Sequence, residues 1–354
     1  MDFAPDELLS AIQGTAQRVA QDQRAATPAE RERVGREGAL HAGLLELLVG
    51  EDPDEVAGPT AFVLALHTLS QTETGLALWV WAQNVAQSAA GAVSPDFARA
   101  WRDGASVAVP LDLELTTGDG WHVSCGAPHA LAHQAGAWSL QAGQAGTRTS
   151  VGVDGADIGL FVAGRELGPL HTPDIALAVT GLAAIAAGVA QRATRATAEY
   201  ALVRQQFGHP IAEFQAIQFM LADSQTGAEA ARLMSLASAS QPDLPAAARA
   251  LSCAAAAARA AADVAVQVHG GAGYTRDYPA EALLRDASIL QQVATRRFTA
   301  SALPPFAQAP GLASASKRAE HSRRGQSHPR RSPGFGAPTS RPPESAGRKR
   351  HHGG

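Results

Sequence analysis

The stretch VQVHGGAGYTRDYPAEALLRDASIL, from Val266 to Leu290, decides the fold. An alanine-rich helical pattern ends at HGGAGY, the chain turns through DYP, and a second helical pattern contains the charged pair Arg285 and Asp286. Glycine commonly follows the last turn of a helix and lets the backbone come close to a ligand. The stretch therefore predicts two helices joined by a glycine-rich loop, with the charged pair fixing the turn at the start of the second helix.

Long helical patterns lie on both sides of this loop. Apolar residues recur at helical spacing over four pieces, which are Asp174–Gln206, Ala212–Ser240, Ala246–His269 and Ala280–Leu303. The connections between the pieces are short, and the abundant alanine combines high helix propensity with room for close helix approach. These features predict an antiparallel four-helix bundle over residues 171–308.

The residues before the bundle predict two further domains. Residues 1–104 contain helical repeats such as DELLSAIQGTAQRVAQD and PTAFVLALHTL, so they predict an N-terminal helical domain. Residues 105–170 alternate apolar and polar residues about a Gly-Asp-Gly turn, which is typical of a hairpin. The predicted fold class is therefore mainly α, with a small, reduced, barrel-like β domain in the middle.

The chain of 354 residues ends in a segment of different character. The whole chain has a net charge of −4, but residues 309–354 form a basic tail with ten Lys or Arg and two Asp or Glu. This segment is rich in Ser, Pro and Gly and lacks apolar periodicity, so it is predicted to be disordered. A positive tail could bind nucleic acid. However, no aromatic ladder supports that interpretation, so an inert extension is favoured.

Composition excludes several classes of protein. The two cysteines, Cys125 and Cys253, form neither a disulfide framework nor a metal cluster, and they suit a reducing compartment. The N-terminus MDFAPDELLS carries acids where a secretory signal carries basic residues. The longest apolar stretch, Ile175 to Ala190, is shorter than the roughly 20 residues of a membrane span. We therefore expect a cytoplasmic protein without a membrane partner and without a metal.

Two motifs stand about 60 residues apart in the predicted bundle. The first is YALVRQQFGHPIAEFQAIQFMLAD, from Tyr200 to Asp223, and the second is QVHGGAGYTRDYPAEALLRDA. Together they resemble the C-terminal bundle of the acyl-CoA dehydrogenase family, which shows Tyr-Ala-x-x-Arg-x-x-Phe-Gly, Pro-Ile, Phe-Gln-x-x-Gln, Gln-x-x-Gly-Gly-x-Gly-Tyr, Tyr-Pro and Arg-Asp-Ala in this order. The helix–β–helix order of the chain also resembles the family's three-domain layout.

The resemblance implies a cofactor, a substrate and an oligomer. In the family, the Arg and Phe of the first motif and the Gln and Gly-Gly of the second reach across a dimer interface to the FAD of the neighbouring subunit. The corresponding cofactor-binding residues are Arg204, Phe207, Gln267, Gly270 and Gly271. The implied substrate is an acyl-CoA thioester, from which the flavin accepts a β-hydride while a carboxylate removes the α-proton. The implied assembly is a homo- or hetero-oligomer with a related subunit.

The residues taken alone also permit plainer interpretations. Arg204 is explained as a surface residue that favours the C-terminal end of its own helix, with Gly208 as the left-handed cap. The second motif is explained as a helix cap and turn, and it does not match the dinucleotide fingerprint. His269 is expected to be structural.

The catalytic carboxylate implied by the resemblance is missing. Nine residues after Arg285, where the family has Glu, the chain has Ala294. The alternative position near the start of the first bundle helix falls at Ala178, followed by Val179 where an Arg is common. The family's Thr-Glu-Pro and Gly-Ser-Asp elements are also missing, and a Thr expected near the flavin is replaced around Ala132. We therefore assign no catalytic residue.

Three functional hypotheses remain open. The favoured one is the non-catalytic subunit of a heteromeric acyl-CoA dehydrogenase-like flavoenzyme. The second is a self-sufficient flavoenzyme that uses a displaced base or needs no strong base, and the third is a cofactor-free structural or interaction protein. Candidate displaced bases are Asp174, Glu199, Glu213 and Glu281. Of these, Asp174 is predicted to cap its helix, and Glu281 is predicted in the first turn of the last helix, where the helix dipole favours an acid.

Overall fold

The computed structural model describes residues 7–27, 30–49, 56–90, 95–111, 113, 120–123, 127–134, 137–144 and 158–298. The described helices are α1 (Glu7–Ala25), α2 (Arg31–His41), α3 (Gly58–Ser70), α4 (Thr74–Ala90), α5 (Pro95–Arg102), α6 (Ile175–Val203), α7 (Gln215–Ser240), α8 (Leu244–His269) and α9 (Ala280–Phe298). The described strands are β1 (Val109–Pro110), β2 (Gly120–Val123), β3 (His129–Gln134), β4 (Ala137–Gln144), β5 (Gly159–Pro169), β6 (Gln205–Gln206) and β7 (His209–Pro210). The predicted tail and the helix end predicted at Leu303 lie outside the described residues.

The mainly α fold with a small β region is confirmed. Strands β1 to β5 form one antiparallel sheet in the order β1-β2-β5-β4-β3, and β1 pairs with β2 as the predicted hairpin requires. A parallel bridge between Ala108 and Ala130 joins the two outer strands, so the sheet closes on itself like a small barrel. The domain boundaries at 104, 170 and 308 stay predictions.

Helices α6 to α9 form the predicted bundle, with ends that differ from the prediction by a few residues. The periodic pattern predicted the first helix to run to Gln206, whereas α6 ends at Val203. The reason is that Arg204 has an extended backbone, with ψ of 123°. The bundle core consists largely of buried alanines on α6 and α8, and the aromatic side chains Phe62, Trp79 and Trp81 of α3 and α4 are buried in the same core.

Close helix packing depends on two glycines of α6. A Cβ on Gly181 would lie 2.8 Å from carbons of Phe62 and Trp81. A Cβ on Gly188 would overlap Ser70 Oγ and lie 2.5 Å from the carbonyl oxygen of His67. These distances are shorter than any real carbon contact, so α3 and α6 approach each other as closely as glycine permits.

Two helical segments are long and apolar enough to cross a membrane by length and composition alone, namely Ile175–Val203 and Leu244–Tyr274. In the first, 78% of the most apolar window is buried inside the molecule, and in the second 44%. The core helix of a globular protein meets the same criterion. The burial of Ile175–Ala190 confirms the interpretation of that stretch as a core helix.

Asp174→Ala is expected to destabilise the protein by about 1 kcal/mol, because Asp174 is the N-cap of α6. Its carboxylate accepts a hydrogen bond of 2.9 Å from the backbone N–H of Leu177, as the sequence predicted. Urea denaturation measures the change. Asp223→Ala is the control, since Asp223 is exposed inside α7, and we expect its effect to stay within about 0.5 kcal/mol. Equal losses in the two variants would contradict the capping role.

Candidate functional site

The two sequence motifs meet at one end of the bundle. The ring of Tyr200, near the end of α6, stacks on His269 at the end of α8, with 4.1 Å between ring centroids. Tyr278 contacts both rings edge-on, at 5.2 Å and 5.3 Å. Beneath them, Ala201 and Val268 belong to one buried apolar cluster. The structure therefore brings together two segments that lie about 60 residues apart in the sequence.

The first motif forms a tight hairpin rather than a continued helix. Strands β6 and β7 pair Gln206 with His209, which leaves Phe207 and Gly208 as a two-residue turn. Their φ angles of 55° and 90° are the positive pair typical of a type I′ turn. The prediction that Gly208 caps the helix is wrong, because α6 has already ended three residues before this hairpin turn. Phe207 is a non-glycine residue in a left-handed conformation, and the residue is 90% exposed.

The second motif forms a glycine turn with an open edge. Residues Gly270–Tyr274 make a short 3-10 helix directly after α8, and Gly270 has φ of 59° with ψ of −133°. A Cβ on Gly270 or Gly271 would meet nothing within 4 Å. Gly273 differs, since a Cβ there would lie 3.0 Å from atoms of His269 and Val266. The first two glycines therefore expose backbone, whereas Gly273 packs inward.

The five predicted cofactor-binding residues all lie on the surface of this end of the bundle. They are Arg204, Phe207, Gln267, Gly270 and Gly271, and each is exposed. Three large apolar side chains next to them are also exposed, which the sequence reasoning missed. These are Leu202, Val203 and Tyr274. We call these eight residues the motif surface.

The positions at which the family carries its base are part of the core. Ala178 and Ala294 are both buried in the main apolar cluster. The indole N–H of Trp81 donates a hydrogen bond of 2.8 Å to the carbonyl oxygen of Ala178. Val179 and Ala132 are buried as well. Apolar packing therefore fills both positions.

The candidate displaced bases have other roles or lie exposed. Asp174 caps α6. Glu281 accepts two hydrogen bonds from Arg285, at 2.6 Å and 3.1 Å. Glu213 is exposed and its carboxylate lies 3.4 Å from His209 Nδ1. Glu199 is exposed and lines a cavity beside Tyr200. The structure therefore presents none of these four carboxylates as a buried base.

The charged pair and the histidine of the second motif have structural roles. Arg285 lies in the second turn of α9 and pairs with Glu281, so the helix-start position predicted for Arg285 and Asp286 is corrected. Asp286 is buried. His269, which was predicted to be structural, is buried, and its Nδ1 lies 2.7 Å from the carbonyl oxygen of Ala265. Burial lowers the pKa of His269, and the contact with Ala265 partly opposes this shift.

Comparison with known proteins agrees with the motif assignment. Residues 177–294 match the family described as acyl-CoA dehydrogenase, C-terminal domain. The chain is 49% identical over 113 residues to the 3-sulfinopropanoyl-CoA desulfinase of Paraburkholderia xenovorans (strain LB400). The aligned segment covers 31% of this chain and 29% of the relative. The chain is 44% identical over 115 residues to the probable acyl-CoA dehydrogenase YngJ of Bacillus subtilis (strain 168), which covers 31% and 30%. The matched segment thus spans less than a third of these curated relatives.

The likeness of the fold extends much further than the likeness of the sequence. The butyryl-CoA dehydrogenase of Megasphaera elsdenii aligns with a TM-score of 0.67 at 22% identity, over 84% of this chain and 98% of that chain. The helical regions and the β region therefore share one architecture with that enzyme. Residues 177–294 thus match the C-terminal domain of the acyl-CoA dehydrogenase family, and the chain as a whole shares the fold of butyryl-CoA dehydrogenase.

Proposed function

We propose that this chain is a cytoplasmic, non-catalytic subunit of an acyl-CoA dehydrogenase-like flavoenzyme that acts on the CH–CH group of an acyl thioester. The motif surface would complete the site of an FAD held mainly by a related partner chain. The exposure of Phe207 carries the proposal. A large apolar ring in a strained backbone conformation is costly to hold in water, so a partner that covers it would offset this cost.

The chemistry of the motif surface suits the adenosine diphosphate half of FAD. The guanidinium of Arg204 can donate forked hydrogen bonds to a diphosphate. Gly270 and Gly271 present backbone without a side chain, so a ligand can come close to it. Gln267 adds an exposed amide that both donates and accepts. When bound, the flavin supplies the hydride acceptor of the reaction.

The proton-abstracting carboxylate is assigned to the partner chain. In this chain Ala178 and Ala294 occupy the family's base positions, and Glu281 is held by Arg285. A second candidate is a self-sufficient flavoenzyme whose reaction needs no strong base. The observation in its favour is that one relative is named for desulfination of a CoA thioester rather than for dehydrogenation.

Flavin content separates the two candidates. We expect the chain purified alone to be colourless, and the chain co-purified with a related subunit encoded by a neighbouring gene to carry flavin absorbance. Arg204→Ala in this pair is expected to weaken FAD binding about tenfold, because it removes charge-assisted hydrogen bonds. Equilibrium dialysis of FAD against the pair measures the affinity.

Arg249→Ala is the matched control for this experiment. Arg249 is an exposed arginine in the second turn of α8, at the opposite end of that helix from Gln267. It should leave the FAD affinity unchanged. A yellow lone chain that reduces a dye with acyl-CoA would contradict the subunit proposal and favour the self-sufficient enzyme. Absence of FAD from every oligomer would favour the cofactor-free interaction protein.

A further inference from the structure

Two cavities lie between the N-terminal helices and the end of the bundle, and they share a wall. The first has a volume of about 580 Å³ and the second about 620 Å³, which is the size of typical small-molecule sites. Residues that line both cavities are Arg31, Glu73, Arg192, Tyr278 and Pro279. Since α1, α2, α6 and the loop before α9 all contribute, the cavities belong to the tertiary fold and not to one surface loop.

Charge distinguishes the two cavities. The first is lined by four arginines and only two acids, which are Glu73 and Glu199. The second is lined by four arginines and four acids, and the Glu281–Arg285 ion pair lies in its wall. The second cavity is therefore balanced internally, whereas the first has an excess of positive charge. An anion would bind in the first.

The arginines of the first cavity repel one another. They are Arg24, Arg31, Arg192 and Arg195. Burial lowers the pKa of the Arg192 guanidinium, Glu73 and Asp286 raise it, and the neighbouring Arg24 and Arg195 lower it again. Arg24 and Arg195 therefore act on Arg192 as like charges, and an anion bound between them would relieve the repulsion.

Two buried polar atoms at the shared wall and in the second cavity have no partner among the described residues. They are Nε of Arg31 and Oε1 of Gln23. Gln23 is only 6% exposed and lines the second cavity, while Arg31 lines both. No carboxylate of the described residues therefore pairs with the Nε of Arg31, whose side chain lines both cavities.

We propose that the first cavity is a binding site for a phosphate-bearing small molecule. It is lined by none of the five predicted cofactor-binding residues, although Val203 belongs both to the cavity and to the motif surface. Arg24, Arg31 and Arg195 would bind the phosphate oxygens, since the guanidinium fork matches phosphate geometry. Tyr200 and Tyr278 line the same cavity and offer aromatic surface to an organic group attached to the phosphate. The ligand class is a diphosphate, either inorganic or carried by a nucleotide.

Calorimetric titration of the full chain with pyrophosphate and with ADP tests the site. We expect saturable binding of one ligand per chain, and Arg31→Gln should weaken it about tenfold or more through loss of charged hydrogen bonds. Stronger binding of ADP than of pyrophosphate would support the site and identify its ligand as a nucleotide. Equal binding would support the site and identify the diphosphate itself.

Arg33→Gln is the control variant, because Arg33 lies on the same helix but is exposed and pairs with Glu37 at 2.8 Å. It should bind both ligands like the unaltered chain. Arg24→Gln, at an exposed position, supplies a second variant in case Arg31→Gln does not fold. Absence of saturable binding, or equal losses in Arg31→Gln and Arg33→Gln, would overturn the proposal. The FAD content of the oligomer should not change in Arg31→Gln or in Arg24→Gln.

Discussion

Gly188→Ala is expected to destabilise the protein by about 3 kcal/mol or more, which is the upper range for overpacking a core. The added methyl group would overlap Ser70 Oγ and lie 2.5 Å from the carbonyl oxygen of His67. Ser70 cannot easily turn away, because its buried hydroxyl donates a hydrogen bond of 3.0 Å to the same carbonyl. The carbonyl belongs to the backbone of α3, so relief requires that two helices move apart. Urea denaturation followed by circular dichroism measures the loss.

Gly227→Ala is the matched control, with an expected effect of opposite sign. Gly227 lies inside α7, and a Cβ there would make an ordinary contact of 3.5 Å with Ala257. Replacing glycine by alanine within a helix stabilises by roughly 0.5–1 kcal/mol. If both variants were as stable as the unaltered chain, or both were stabilised, the close approach of α3 to α6 would be wrong.

We expect the free energy of unfolding to fall in mild acid because of the buried His67. Burial, followed by the nearby charge of Arg232, lowers the pKa of His67 from 6.5 to about 4, although Glu229 partly opposes the shift. Between these two values the unfolded chain binds a proton that the folded chain does not. The free energy of unfolding should therefore fall as the pH drops from 6.5 to about 4, by roughly 3 kcal/mol in total. Urea denaturation at several pH values in this range measures it.

His67→Gln should flatten this pH dependence. Gln71 Nε2 lies 3.2 Å from His67 Nδ1, and His67 Nε2 has no partner among the described residues, so no acceptor is in place for an added proton. Glutamine keeps a polar group but does not titrate. His171→Gln changes an exposed histidine and should leave the curve as it is. Parallel pH curves for His67→Gln and the unaltered chain would show that another group causes the loss.

The bundle could be predicted because its signals are local. Alanine-rich periodicity, short connections and the cap at Asp174 act within a few residues of each helix. The end of α6 could not be predicted in this way, since the helical pattern continues past Val203. The hairpin that replaces it depends on a distant contact, because Ile211 packs in one cluster with Ala201 and Val268.

In the candidate site, too, the local sequence signals could be predicted and the contacts between distant residues could not. The motif residues were found because their order and spacing are specific to one family. The arginine cavity was not found, because Arg24, Arg31 and Arg192 come from three helices and each alone has the appearance of a solvated charge. The exposed Leu202 and Val203 carried a weak signal, namely two apolar residues next to a polar stretch at a helix end.

The hydrogen bond from Trp81 to the Ala178 carbonyl has a consequence for substitutions at this position. A glutamate introduced at this position would be placed in apolar packing, where an unpaired carboxylate costs several kcal/mol. A base introduced here would thus also need a polar partner and room in the packing, which a second substitution would have to supply. A single substitution of Ala178 by glutamate is therefore expected to destabilise the protein instead of creating a base.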